Sequence, residues 1–321
     1  MKARLVINPI SGTRSKEGLD RYVAEQLSPL GWEIETAYTR GRGDATRLAL
    51  EAAEMGYEAV IAAGGDGTVN ETAAALCGTQ TALAIVPCGS GNGLARHLGI
   101  PVDVREGVRT ILNNKAHAID YATVNGRKFF CTFGVGFDAA VSEAFARKKT
   151  RGKLTYIQST FQTYAHYEPE LYTIKAGGKT LTEKAFLVAV CNASQYGNNA
   201  YIAPSAVIDD GLLDVTIIHA GNPLSTALVG FDMLTGMIEK NVLIDTFRTP
   251  SLTISRQGGG PAHIDGEPLN MDSELDIVCH PSSLRVVSPP RTAEIKPFIT
   301  PATAMFSDFK LAVNKLFHQK I

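Results

Sequence analysis

Cysteine is scarce in this sequence. Five occur in 321 residues, at Cys77, Cys88, Cys131, Cys191 and Cys279, an odd number, widely spaced and never as Cys-x-x-Cys. That argues against a disulfide framework or a thiolate zinc site and favours a reducing compartment. Tryptophan occurs once, and Lys+Arg of 31 against Asp+Glu of 32 leaves no basic field. With no stacking platform either, nucleic acid is not an expected partner. Nowhere do about 18 apolar residues run together, so no spanning helix is expected. The opening "MKARLVI" is too short for a signal peptide. No internal repeat or low-complexity tract is found. What is present is 45% hydrophobic content in a chain long enough for two cored domains. A soluble cytoplasmic protein is the expectation.

From residue 1 to about 120, strand and helix signals alternate. Strands are expected at Arg4–Ile7, Trp32–Tyr38, Tyr57–Ala63 and Ala82–Val86. Helices are expected at Gly18–Leu30, from Asp44 through Met55, after Thr68 to Leu76, and at Gly93–Leu98. Such alternation implies parallel βαβ units covered by helices. After Ile119 the character changes. β-Branched runs at 186–190, 213–218, 252–255 and 275–278 are separated by Gly, Asn and Pro, as in an antiparallel sandwich. Helices near 154–166 and 223–240 interrupt it, Pro289 and Pro290 mark a boundary, and a last helix begins near Ser307. The expected domains are 1–120 and 121–290.

Three turns in the first domain follow strands directly: "NPISG" (8–12), "GGDGT" (64–68) and "PCGSGN" (87–92). Ligands of open parallel sheets sit beyond the carboxyl ends of the strands, so all three can face one cleft. Any one alone reads as an ordinary tight turn. Together, with hydroxyls from Ser11, Thr68 and Ser90, they suit polyphosphate held by backbone N–H groups and a helix N-terminus. Asp66 is out of place there unless it positions a metal ion or a substrate proton. Two turns in the second domain add carboxylates: "APSAVIDDGLLDV" (203–215), with Asp209, Asp210 and Asp214, and "HIDGEPLNMD" (263–272), with Asp265 and Glu267 about Gly266. Asp-Gly is a common turn pair. The functional alternative is phosphoryl transfer, with hard oxygen ligands for Mg²⁺ and a carboxylate that takes the acceptor proton.

In order, "NPISG", "GGDGTVNE", "PCGSGNGLARHLG", "GVGFDA", "APSAVIDDGLLDV" and "IDGEP" resemble the lipid kinase family of the diacylglycerol kinase catalytic domain, which includes soluble bacterial diacylglycerol kinases and sphingosine kinases. The resemblance spans essentially the whole chain. It implies a nucleotide-binding α/β domain, a β-sandwich, and a C-terminal segment, 291–321, returning to the first domain. It implies that Asn8, Ser11, Gly12, Thr39, Gly64, Gly65, Asp66, Gly67, Thr68, Asn70, Glu71, Gly89, Ser90 and Gly91 line ATP, with Arg147 or Arg151 near it. Asp66 would stand where γ-phosphate, Mg²⁺ and acceptor hydroxyl meet. Glu267 would be the general base and Asp138 would lie near the lipid hydroxyl. Asp210, with the carbonyls of Val207 and Leu212, would hold a structural Mg²⁺.

The expected activity is ATP-dependent phosphorylation of a primary hydroxyl on a membrane-derived lipid. Diacylglycerol is the default acceptor. Many bacterial members carry a threonine-asparagine-aspartate-phenylalanine run where this chain has "SGNGL" (90–94), which looks closer to long-chain-base kinases. An NAD kinase, which shares the glycine-aspartate turn, and a non-catalytic nucleotide or lipid-binding module are the alternatives. The basic run "ARKKTRGK" (146–153) suggests transient contact with the inner face of the membrane, and the stripe Phe309, Ala312, Val313 and Leu316 suggests a helix docked on the first domain. A homodimer is an open alternative to a monomer.

Overall fold

Strands β1 (Lys2–Ile7), β2 (Glu33–Tyr38), β3 (Ala59–Gly64) and β4 (Ala82–Pro87) pair in parallel in the order β2-β1-β3-β4. The computed structural model describes residues 1–12, 16–146 and 167–289. Alternation along these strands fills two cores. Ala3, Leu5 and Ile7 of β1 and Ala59, Ile61 and Ala63 of β3 meet Leu19, Val23 and Leu27 of α1 (Leu19–Leu27) and Val108 and Ile111 of α5 (Val104–Asn113). Val6, Val60 and Ala62 face the other way. They meet Leu48, Ala49 and Ala52 of α2 (Asp44–Glu54) and Val69, Ala73 and Leu76 of α3 (Asp66–Leu76). Each fully buried Val, Leu or Ile contributes about 1.5–3 kcal/mol, so a sheet covered on both faces is firmly held. The order places a topological switch point between β1 and β3, where open α/β sheets bind ligands. A short helix, α4 (Gly93–His97), follows β4.

The second half is antiparallel. β5 (Ala116–Val124) runs along β15 (Glu274–Val287), which also pairs with β12 (Ser251–Arg256). β9 (Lys179–Cys191) serves both layers. Its first half pairs with β8 (Glu170–Ala176), its second with β7 (Thr132–Gly136) and β10 (Leu213–His219). β13 (Gly260–Ile264) and β14 (Glu267–Met271) form a hairpin beside β7. β11 (Ile244–Thr249) flanks β10, and β6 (Arg127–Phe129) flanks β5. Phe133, Val188, Val190, Val215, Ile254 and Ile277 fill the interior between the layers. α6 (Phe137–Ala146) follows β7, and α7 (Pro223–Thr235) lies between β10 and β11.

The α/β domain followed by a sandwich agrees with the sequence reading, while several details differ. β15 is a 14-residue strand of which only 275–278 was expected. Its end, Val286 and Val287, pairs in parallel with Leu83 and Ala84 of β4 and returns the chain to the first sheet. β5 crosses the boundary expected at 120. α7 stops at Thr235, short of 240, because Gly236 (φ 73°) takes the left-handed conformation that closes a helix. The helices expected at 154–166 and from Ser307, and the returning segment 291–321, lie outside the described residues.

Candidate active site

β1, β3 and β4 each end in one of the glycine loops, and the three loops are nested. The Asn8 amide Nδ2 donates to Thr68 Oγ1 at 3.0 Å, joining the first loop to the second. Gly12 (φ 68°) lies against the third, where a Cβ would overlap the Cys88 carbonyl oxygen. A Cβ on Gly89 would come within 2.6 Å of Gly65 Cα. Backbones approach this closely only because these positions carry no side chain. Asn92, left-handed at φ 53°, closes the third loop by exchanging hydrogen bonds with the backbone of Gly89 at 3.0 and 2.8 Å. Ser90 stands exposed at its tip.

Asp66 opens α3, and its carboxylate reaches across to the start of α4. Oδ2 accepts the Asn92 N–H at 2.9 Å and Oδ1 the Gly93 N–H at 2.7 Å. An acidic residue therefore suits this glycine turn, since it satisfies amide groups that would otherwise lack partners. Beside the first and third loops is a cavity of about 280 Å³ that includes Gly12, Lys16, Gly89, Ser90 and Arg96 in its wall. The Lys16 ammonium donates to the Ser11 carbonyl. Arg96 donates to the Gly91 carbonyl at 2.9 Å and to Asn199 at 3.0 Å, and burial lowers its pKa. The sequence reading singled out neither cation, although Arg96 stands inside "PCGSGNGLAR".

Other expected nucleotide residues have structural partners. Thr39 is buried, with its N–H on the Ile7 carbonyl at 2.9 Å. Glu71 accepts the N–H groups of Gly43 at 2.9 Å and Ala45 at 3.2 Å and so caps α2. Asn70 donates to Asp265 Oδ2 at 3.0 Å, across to the sandwich. Arg147 and Arg151 lie outside the described residues.

The β13–β14 turn is fastened to the same place. Asp265 accepts the N–H groups of Phe130, Cys131 and Thr132 at 2.9, 2.7 and 2.9 Å. Burial pushes its carboxyl up to about 6, against the pull of those three amides. Two residues on, Glu267 lies over the first turn of α3. Its Oε1 is 3.5 Å from where a Cβ on Gly67 would stand, and its Oε2 accepts Arg42 Nη2 at 2.8 Å. Asp138, at the start of α6, accepts the Tyr196 hydroxyl at 2.7 Å and His263 Nε2 at 2.9 Å. Arg42, Tyr196 and His263 were not foreseen. Of these His263 stands two residues before Asp265 and Arg42 three residues after Thr39, both inside stretches already singled out.

The expected metal turn is organised by protein groups. Asp210 accepts the Leu212 N–H at 3.0 Å and pairs with Arg248, which also faces Asp214 Oδ1 at 3.2 Å. Asp120, buried and unforeseen, accepts the N–H groups of Gly211 at 2.6 Å and Ser282 at 2.7 Å. Asp214 Oδ2 is buried with no hydrogen-bond partner among the described residues. Burial pushes the Asp214 carboxyl up to about 6, with Arg248 opposing. Arg248 already faces both Asp210 and Asp214, so the buried Asp214 Oδ2 is the one hard oxygen of this pair left for a divalent cation.

Fold and loops together set three nested glycine loops of an α/β domain against carboxylates from a β-sandwich. The model of the diacylglycerol kinase catalytic domain matches residues 2–124, and that of the YegS C-terminal NAD kinase beta sandwich-like domain matches 131–288. A probable YegS-like lipid kinase of Cronobacter sakazakii is 31% identical over 288 residues, covering 88% of this chain and 95% of that one. A Bacillus subtilis diacylglycerol kinase is 31% identical over 226 residues, covering 69% of this chain and 75% of the other. The crystal structure of a putative diacylglycerol kinase from Bacillus anthracis superposes with a TM-score of 0.75 at 23% identity, covering 90% of this chain and 97% of that one, a likeness of fold. This chain belongs to the YegS and diacylglycerol kinase family of lipid kinases.

Proposed function

We infer that the protein transfers the γ-phosphoryl group of ATP to the primary hydroxyl of a membrane-derived lipid, diacylglycerol or a sphingoid base. The observation that carries this reading is the approach of Glu267, from the sandwich, to the first turn of α3 beside Asp66. A carboxylate free of the phosphate-binding strands thus borders the phosphate cradle. In the step itself the acceptor oxygen bonds to the γ-phosphorus while the bond to the β–γ bridging oxygen breaks. ADP leaves, and the acceptor proton passes to Glu267. Asn8, Ser11, Gly12, Gly64–Thr68 and Gly89–Gly91 hold the phosphates, with Lys16 and Arg96 supplying positive charge. Asp66 fixes the third loop and orients the acceptor. Mg²⁺, when bound with ATP, would neutralise charge on the phosphates. Asp210 with the carbonyls of Val207 and Leu212 would hold a separate structural Mg²⁺, supported by the orphaned Asp214 oxygen.

No helix among the described residues is long and apolar enough to cross a membrane. The proposed enzyme works from the cytoplasm and meets its lipid at the inner face. Labelled ATP presented with diacylglycerol, monoacylglycerol, ceramide, sphinganine and NAD in detergent micelles tests the reading. Phosphate on a lipid supports it, and transfer to NAD alone overturns it.

A further inference from the structure

His263 is 1% exposed on β13, and both of its ring nitrogens are used. The Gly266 N–H points at Nδ1, at 3.4 Å, so the ring proton resides on Nε2 and is donated to Asp138 Oδ2 at 2.9 Å. The Tyr196 hydroxyl donates to the same oxygen at 2.7 Å, and its ring meets His263 edge-on with centroids 5.6 Å apart. Asp138 Oδ1 accepts the Ala139 N–H at 2.8 Å. Room for this pair comes from Gly134 on β7, where a Cβ would overlap both the Asp138 carboxylate and the imidazole. A buried histidine and carboxylate over a glycine form a built arrangement, since a buried polar group without partners is costly. With three donors already on it, Asp138 is suited to orienting a hydroxyl and poorly suited to removing its proton.

α6 packs against both strands of the hairpin, β13 and β14, and within that contact the imidazole supplies the polar link between Asp138 and the turn. One end holds Asp138 at the start of α6. The other holds Gly266, the residue before Glu267. We propose that His263 is a positioning residue for phosphoryl transfer, fixing the acceptor-side carboxylate and the turn that carries the base as one unit. This rests on Glu267 as base, as set out under the proposed function, and on Asp138 lying beside the acceptor hydroxyl, as the family resemblance implies. Small displacements between reacting groups cost on the order of 10²-fold in rate, so the link matters for turnover more than for binding.

The test uses the full chain with ATP and 1,2-dioctanoylglycerol in mixed micelles, comparing His263→Phe, His263→Gln, Glu267→Gln and the double variant His263→Phe/Glu267→Gln. His263→Phe is expected to lower kcat about 10²-fold while the Kd of a fluorescent ATP analogue changes less than about twofold. His263→Gln, which keeps a donor and an acceptor, should recover much of the loss. In the Glu267→Gln background the Phe substitution should add little, because the group it positions is already gone. Should His263→Phe not fold, His263→Leu, which removes both ring nitrogens at smaller volume, gives the same comparison. Losses that multiply fully in the double variant, or that track a parallel loss of nucleotide binding, overturn the positioning role and leave the kinase reading standing. A wild-type protein inert toward every lipid overturns the kinase reading, and with it this inference.

Discussion

Arg42 and Glu267, 225 residues apart, meet across the cleft at 2.8 Å. One stands in the loop before α2, the other in a hairpin of the sandwich. Both are open to solvent, at 87% and 57% side-chain exposure. Exposed pairs contribute at most about 1 kcal/mol, so Arg42→Ala should leave the melting temperature nearly unchanged. Glu267→Gln should retain nucleotide binding and slow transfer about 10²-fold or more, the scale of general-base loss. Steady-state kinetics with binding of an ATP analogue separate the two effects. Near-normal turnover of the Gln variant would move the base elsewhere, with Asp66 the nearest carboxylate in the loops.

Gly91 faces Asp66 so closely that a Cβ would lie 2.7 Å from Oδ2. Gly91→Ala should push the third loop off the Asp66 carboxylate and raise the KM for ATP about tenfold or more, about 1.4 kcal/mol of lost binding. Asp66→Asn should impair both binding and turnover. Its amide NH₂ would face one of the two N–H donors now satisfied by the carboxylate. An unchanged KM for ATP in Gly91→Ala would separate this contact from nucleotide binding.

Asp214 and Asp265 both have carboxyls raised to about 6 by burial, against about 3.9 in an unfolded chain. The folded protein binds the extra protons between those values. The stability these groups contribute is therefore fully present below about pH 4 and is lost as pH rises through about 6. Chemical denaturation in metal-free buffer should give a smaller decline over that interval for Asp214→Asn than for wild type. With Mg²⁺ added at pH 7, wild type should gain stability, and Asp210→Ala should lose that gain together with activity. A Mg²⁺ response equal in both proteins would return "DDGLLD" to the status of an ordinary turn.

The basic residues of "ARKKTRGK", from Arg147 on, lie outside the described residues, and their role is tested in solution. Each lysine near an anionic surface contributes on the order of 1 kcal/mol, fading within a Debye length. Activity on mixed vesicles should rise with anionic lipid and fall with salt. The double substitution Lys148→Glu and Lys149→Glu should weaken vesicle binding while sparing turnover on a short-chain lipid. Binding indifferent to lipid charge would count against this.

The two-part architecture was legible because it rests on local periodicity. Strands such as Ala59–Gly64 and Ala82–Pro87 are apolar throughout because both faces of a parallel sheet are buried. The glycine turns were legible for a related reason, since a backbone that approaches another closely leaves few choices of residue. Lengths and ends were harder. β15 mixes apolar and polar residues as it leaves one sheet and joins another, so only its regular stretch stood out.

By itself the sequence determined the class of fold, the glycine loops, and the carboxylates worth watching, because spacing and residue type are local properties. Only the tertiary structure decided what each carboxylate faces. Asp66 binds the amides of Asn92 and Gly93, Glu71 caps α2, Asp265 gathers three amides, and Asp138 is held by His263 and Tyr196. An Asp or Glu reads alike in any turn. Its role is set by donors that arrive from distant segments, mostly backbone amides that carry no mark in the sequence and, for Asp138, side chains brought in by the fold.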